Sequence, residues 1–183
     1  LIVRRTALAM LAAVPFGAIS RHASAALPAE QRQAGVLGSA EFTDAQGALH
    51  RLTELTRPLV LINLWAAWCP GCLEELPSIR TLAARLGPEA IDVVLLSHEM
   101  NWRGDLAYVR TSDLPFRHWR LSPRVPQAAV SAAFRIDGDR FGLPQSLILA
   151  GRDRILVDVN EGSRDWATPD QVRLAQRWLQ AVR

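Results

Sequence analysis

The 183-residue sequence predicts an α/β domain built on a central mixed β-sheet flanked by helices, and three observations carry that expectation. Leu59 to Leu64 is a nearly unbroken apolar run of strand length. Pro70 then opens a stretch in which Leu73, Leu76, Ile79, Leu82 and Leu86 recur at helical spacing. After the Gly87-Pro88 stop comes a second short apolar run, Ile91 to Ser97, and strand, helix, strand in succession imply a right-handed parallel crossover. Near the C-terminus two apolar segments, Gln145 to Ala150 and Ile155 to Val159, flank a Gly151-Arg152-Asp153 turn and read as an antiparallel hairpin.

From the N-terminus, Arg4 and Arg5 precede an apolar run from Ala7 to Ile19, and Ala23-Ser24-Ala25 offers a small-x-small cleavage site. Residues 1–25 therefore read as a secretion signal peptide cleaved after Ala25. The general secretory route is favoured, the paired arginines leaving twin-arginine export as the alternative. An uncleaved membrane anchor is the other alternative, although the run of 13 residues, broken by Pro15 and Gly17, is short against the ~20 that span a bilayer. Residues 26–38 form an irregular lead-in, and the domain is expected over 39–183.

Within the domain, Glu41 to Asp44 and Leu49 to Leu52 suggest two short strands around an Asp44-Ala45-Gln46-Gly47 turn, with His50 facing solvent. Trp102, Leu106 and Val109 mark a second, shorter helix, expected on the opposite sheet face from the first. Residues 118–142 are broken by Pro123 and Pro126 and carry no clear pattern beyond a turn or two of helix at Gln127 to Phe134 and an Asp137 to Arg140 loop. Thr168-Pro169-Asp170-Gln171 is a capping box that opens a closing helix with Val172, Ala175, Leu179 and Val182 on one face. Trp166 and Trp178 read as packing residues.

The two cysteines, Cys69 and Cys72, fall at the strand-to-helix junction and one turn inside the helix. Unpaired N–H groups and the macrodipole at a helix N-terminus stabilise an anion, so a thiol there ionises more readily than free cysteine, whose pKa is about 8.5. Cys69 is the expected nucleophile and Cys72 the thiol that resolves a mixed disulfide. A purely structural disulfide is the competing reading for an exported protein, but a bridge that closes so short a loop constrains the unfolded chain little.

These residues, Asn63-Leu64-Trp65-Ala66-Ala67-Trp68-Cys69-Pro70-Gly71-Cys72 with Glu75 and Pro77, resemble the thioredoxin superfamily and, within it, the TlpA/ResA-like thiol–disulfide oxidoreductases. Asn63 stands where thioredoxins proper usually carry a buried aspartate. The resemblance implies a thioredoxin-like fold with an N-terminal β-hairpin and a central helix–strand insert. It also implies a cis bond before Pro144, with Leu143 presenting its backbone to an extended substrate peptide. Trp68, Pro70, Gly71, Leu143 and Pro144 are thereby the expected substrate-binding residues. Two departures from the family pattern are a lengthened approach to Pro144 and Gln145 in place of threonine.

Glu75 lies three residues after Cys72 on the same helix face. Buried, it would hold a raised pKa and exchange protons with Cys72; solvated, it would merely complement the helix dipole, as Glu74 does. Metal binding through the cysteines with His98 or His118 is the chief rival chemistry, but four-ligand spacing is lacking, and neither metal nor cofactor is expected.

The signal segment holds Arg4, Arg5 and Arg21 and no acid, so the formal charge of +3 falls to zero on processing, and no basic surface for nucleic acid is expected. The resemblance implies a periplasmic enzyme, a monomer, that exchanges disulfides with protein substrates. In that reading it works as a reductase in cytochrome c biogenesis or copper-site assembly and takes electrons from a membrane thiol carrier. A disulfide oxidase or isomerase, or a non-catalytic metal- or peptide-binding module, are the alternatives.

Overall fold

The structure, a computed structural model, describes residues 40–98, 103–121, 134 and 142–182. The expected export signal and lead-in, Trp102 and most of 118–142 lie outside the described residues.

One seven-stranded sheet organises them. Its strands are β1 (Phe42–Thr43), β2 (Leu49–His50), β3 (Leu59–Trp65), β4 (Ile91–Ser97), β5 (Arg117–Leu121), β6 (Gln145–Ala150) and β7 (Ile155–Glu161), in the spatial order β2-β1-β5-β4-β3-β6-β7. The helices described are α1 (Pro70–Leu86), α2 (Arg103–Ser112) and α3 (Pro169–Ala181), with a short 3₁₀ turn at Leu52–Glu54. Leu52, expected at the end of β2, begins that turn and is fully buried.

Every residue of β3 is buried because both faces of the strand are covered. It pairs parallel with β4, Leu61 opposite Val93, and antiparallel with β6, Leu61 opposite Ile148, so the sheet is mixed. The alternation of side chains splits the core. Leu59, Leu61 and Trp65 pack with Leu95 and with Cys72, Leu76 and Ile79 of α1. Val60, Ile62 and Leu64 point the other way, to Val94, Leu96, Phe42, Leu147 and the fully buried Phe134.

All three described helices cover the first of these faces, since Tyr108 and Val109 of α2 and Ala175 and Leu179 of α3 join the cluster of α1. The expectation that α2 lies opposite α1 is therefore corrected. The reason is topological: β3 to β4 and β4 to β5 are parallel steps in the same direction across the sheet, and right-handed crossovers place successive helices of such steps on one side.

His50 is also not on an open strand face. Its ring stacks on Trp119 of β5 at 5.1 Å, its Nε2 lies 2.8 Å from Asp44 and its Nδ1 lies 3.2 Å from Glu54. The two carboxylates hold its pKa above the ordinary value, with the Asp44 hydrogen bond the largest cause.

Candidate active site

Helix α1 begins as its sequence dictates. Cys69 is the N-cap, with extended backbone, and Pro70 takes the first helical position, where the missing N–H costs nothing. The Cys69 sulfur accepts the backbone N–H of Cys72 at 3.2 Å, and the two cysteines are joined as a disulfide with Cα atoms 5.3 Å apart. They are unequal in access: Cys69 is 5% exposed and Cys72 is wholly buried. Beside them Trp68 is 59% exposed, Pro70 is exposed and Gly71 is half-buried.

The Leu143–Pro144 peptide bond is cis. Pro144 comes up against the cysteine loop closely enough that a β-carbon on Gly71 would lie 3.7 Å from its ring and 3.3 Å from the Ser163 hydroxyl. Ser163 donates to the Gly71 carbonyl at 2.6 Å, and the Gly162 N–H donates to the Pro144 carbonyl at 2.9 Å. Leu143 is half-buried and packs on both halves of the core. Of the eight residues expected at the site, Trp68, Cys69, Pro70, Gly71, Cys72 and Glu75 lie on α1 and its approach, and the Leu143–Pro144 segment brings the Pro144 ring against Gly71.

Glu75 is 2% exposed. Its carboxyl accepts the Asn63 amide at 3.1 Å, the Trp166 indole N–H and the backbone N–H of Arg164. Asn63 donates also to Ser146 at 2.9 Å. Desolvation outweighs these donors and pushes the Glu75 pKa up to about 7, which fits the buried alternative expected for it. A groove of about 510 Å³ along this side of α1 is lined by Glu74, Glu75, Ser78, Ser163, Arg164 and Asp165, among others.

Four contributors escaped the sequence reading. Trp166, expected only to pack, is a ligand of Glu75; it is 91 positions away, and no local spacing signals the pairing. Ser163 and Arg164 come from the same loop before α3. Asp105 of α2 accepts the Ala67 N–H at 2.6 Å and the Ser97 hydroxyl, tying the turn before Cys69 to α2 and β4. Among the described residues no group of three or more His, Cys, Asp or Glu is placed to hold a metal ion.

A cysteine pair at the mouth of a helix on a mixed sheet, with a cis-proline packed against the cysteine loop, is the arrangement of a thioredoxin-like fold. The comparisons agree. Residues 25–108 match the Redoxin family. A thiol:disulfide interchange protein DsbE homolog of Paracoccus denitrificans is 32% identical over 96 residues, 52% of this chain and 47% of that protein, so the chain matches about half the length of this curated relative. Among solved structures, a thioredoxin-family thiol:disulfide interchange protein from Chlorobium tepidum TLS superposes with a TM-score of 0.60 at 21% identity, covering 76% of this chain and 94% of that one. A secreted Mycobacterium tuberculosis disulfide oxidoreductase homologous to E. coli DsbE gives 0.56 at 19% identity, over 81% and 98%. The chain thus has a thioredoxin-like fold and is similar in sequence to Redoxin-family and DsbE-like thiol:disulfide interchange proteins. No helix among the described residues is long and apolar enough to cross a membrane.

Proposed function

We propose that this protein is an extracytoplasmic thiol–disulfide oxidoreductase that acts on protein substrates through Cys69 and Cys72, and that it works as a reductase. The observation that carries the reading is the disulfide at the start of α1, whose N-cap Cys69 keeps a small exposure beside the exposed Trp68 while Cys72 is wholly buried.

In the reducing direction the Cys69 thiolate, stabilised by the Cys72 N–H and the helix end, attacks a substrate disulfide and expels one substrate thiolate. Cys72 then loses its proton to the Glu75 carboxylate and attacks the Cys69 sulfur. That step forms the intramolecular disulfide, releases the second substrate thiolate, and moves two electrons from the pair to the substrate. Trp68, Pro70 and Gly71, with Leu143 and Pro144 opposite, are the surface on which the substrate segment lies. A membrane thiol carrier restores the dithiol, and clients of the cytochrome c maturation or copper-site assembly type suit the TlpA/ResA/DsbE likeness. The N-terminal export pattern and the secreted structural neighbour support a periplasmic location.

The test is insulin-disulfide reduction by the wild-type chain and by Cys69→Ser, with the reduction potential of the pair. Activity lost in Cys69→Ser and a potential near −270 mV support the reductase, a potential near −120 mV makes the protein an oxidant, and equal activity of the two proteins refutes catalysis by the pair.

A further inference from the structure

The loop Ser163–Trp166, between β7 and α3, is fastened to the active-site helix at three levels. The Ser163 hydroxyl bonds the Gly71 carbonyl, the Arg164 N–H reaches the Glu75 carboxyl, and the Trp166 backbone N–H donates to Ser78 Oγ at 3.1 Å. Ser78 donates in turn to the Glu75 carbonyl at 2.8 Å. The Trp166 ring, 1% exposed, is held between the core and the Arg164 guanidinium, which lies 4.7 Å from the ring centroid and is itself anchored by Asp158 and Asn160. An indole packed on both sides has one direction in which to aim its N–H, and it aims at Glu75.

We propose that Trp166 is a positioning residue for disulfide exchange, its indole N–H fixing the Glu75 carboxyl behind Cys72 in the orientation and the anionic form that accept the Cys72 proton. The inference rests on the reading that Glu75 serves Cys72. Hydrogen bonds to a carboxylate favour its charged form, so Trp166 works against the desolvation that keeps Glu75 protonated. The groups facing Glu75 are few. Arg164 is paired with Asp158; Glu74 and Asp165 stand on the groove; Asn63 is the neutral partner from the sheet, itself held by Ser146; Cys72 shares the helix.

The test follows two resonances of the full chain with pH, the Glu75 carboxyl carbon and the Trp166 indole N–H. In wild type the indole should shift with the same midpoint as the carboxyl, and Glu75→Gln should abolish that shift. In Trp166→Phe the carboxyl midpoint should rise by about one pH unit, the matching limb of the pH–rate profile for insulin reduction moving with it. A folded Trp166→Phe with an unmoved midpoint and profile overturns the positioning role and leaves the oxidoreductase standing. A wild-type indole that ignores the Glu75 titration overturns it without recourse to any variant. Insulin reduction that persists in Cys69→Ser instead overturns the exchange reading on which the role depends.

Discussion

The Asn63 amide and the Glu75 carboxyl meet at 3.1 Å in a layer that water does not reach, between β3 and α1. Asn63 spends its two N–H groups on Glu75 and Ser146, while its own oxygen has no hydrogen-bond partner among the described residues. Burial outweighs these donors and the charge of Arg164, so Glu75 titrates near neutrality rather than in the usual acid range.

That displacement makes stability depend on pH. The folded pKa of about 7 lies above the unfolded value of 4.5, so the Glu75 contribution is fully present below pH 4.5 and is lost as pH rises through 7. The loss is on the order of 3 kcal/mol. Urea unfolding of Glu75→Gln should show none of it: the variant gains on wild type steadily from pH 4.5 to 7.5. Parallel stability curves for the two proteins would mean that Glu75 is solvated.

Asn63→Asp should be worse at high pH than at low. The substitution removes a donor and sets a second carboxyl against Glu75, so the two share a proton and titrate as a pair. Around pH 4 both are neutral, and the variant should lie within about 1 kcal/mol of wild type. By pH 8 a second buried negative charge has to be accommodated, and the deficit should grow to about 3 kcal/mol or more. A deficit of the same size at both pH values would trace the effect to packing instead.

What could be read from the chain alone was whatever its local pattern specifies. The change from a continuous apolar run at Leu59 to a helical spacing after Pro70, with the cysteines at the change, placed β3, α1 and the disulfide together. The Thr168 cap did the same for α3, where its hydroxyl receives the Gln171 N–H. Strand β5 was invisible because Arg117, His118, Trp119, Arg120 and Leu121 show no apolar alternation; only Trp119 is buried, and pairing with β4 and β1 holds the strand. The face of α2 follows from where β5 pairs, so missing the one meant misplacing the other. The Trp166–Glu75 and Asp105–Ala67 contacts join segments that no periodicity relates.

Asp105 yields a prediction about the turn before the nucleophile. Its carboxyl is 3% exposed and takes the Ala67 N–H and the Ser97 hydroxyl, one on each oxygen. Asp105→Ala leaves both donors without that acceptor, at a cost of about 1–3 kcal/mol. The loss should show locally as faster hydrogen exchange at the Ala67 amide, by tenfold or more beyond any change at residues of β6. Asp105→Asn retains one acceptor oxygen and should fall between. Unchanged exchange at Ala67 in the alanine variant would show that the turn is held by its other contacts.

His118 supplies the opposite pH dependence in nearly the same range. Burial in β5 pushes its pKa down to about 4, against the single bond to the Leu114 carbonyl, and its Nε2 finds no partner among the described residues. A lowered histidine stabilises the fold fully above its unfolded value of 6.5, and that stability is lost as pH falls toward 4. Allowing for solvent around a half-buried ring, the loss is about 2 kcal/mol. Glu75 contributes a slope of the other sign between 4.5 and 7, so the two largely offset each other in wild type. His50, whose raised pKa acts only above 6.5, lies outside that window. His118→Gln should therefore lose stability as pH rises from 4.5 to 6.5, Glu75→Gln should gain it, and the double variant should be as flat as wild type. Urea midpoints at three pH values distinguish these cases, and single variants as flat as wild type would show that neither group titrates as its burial requires.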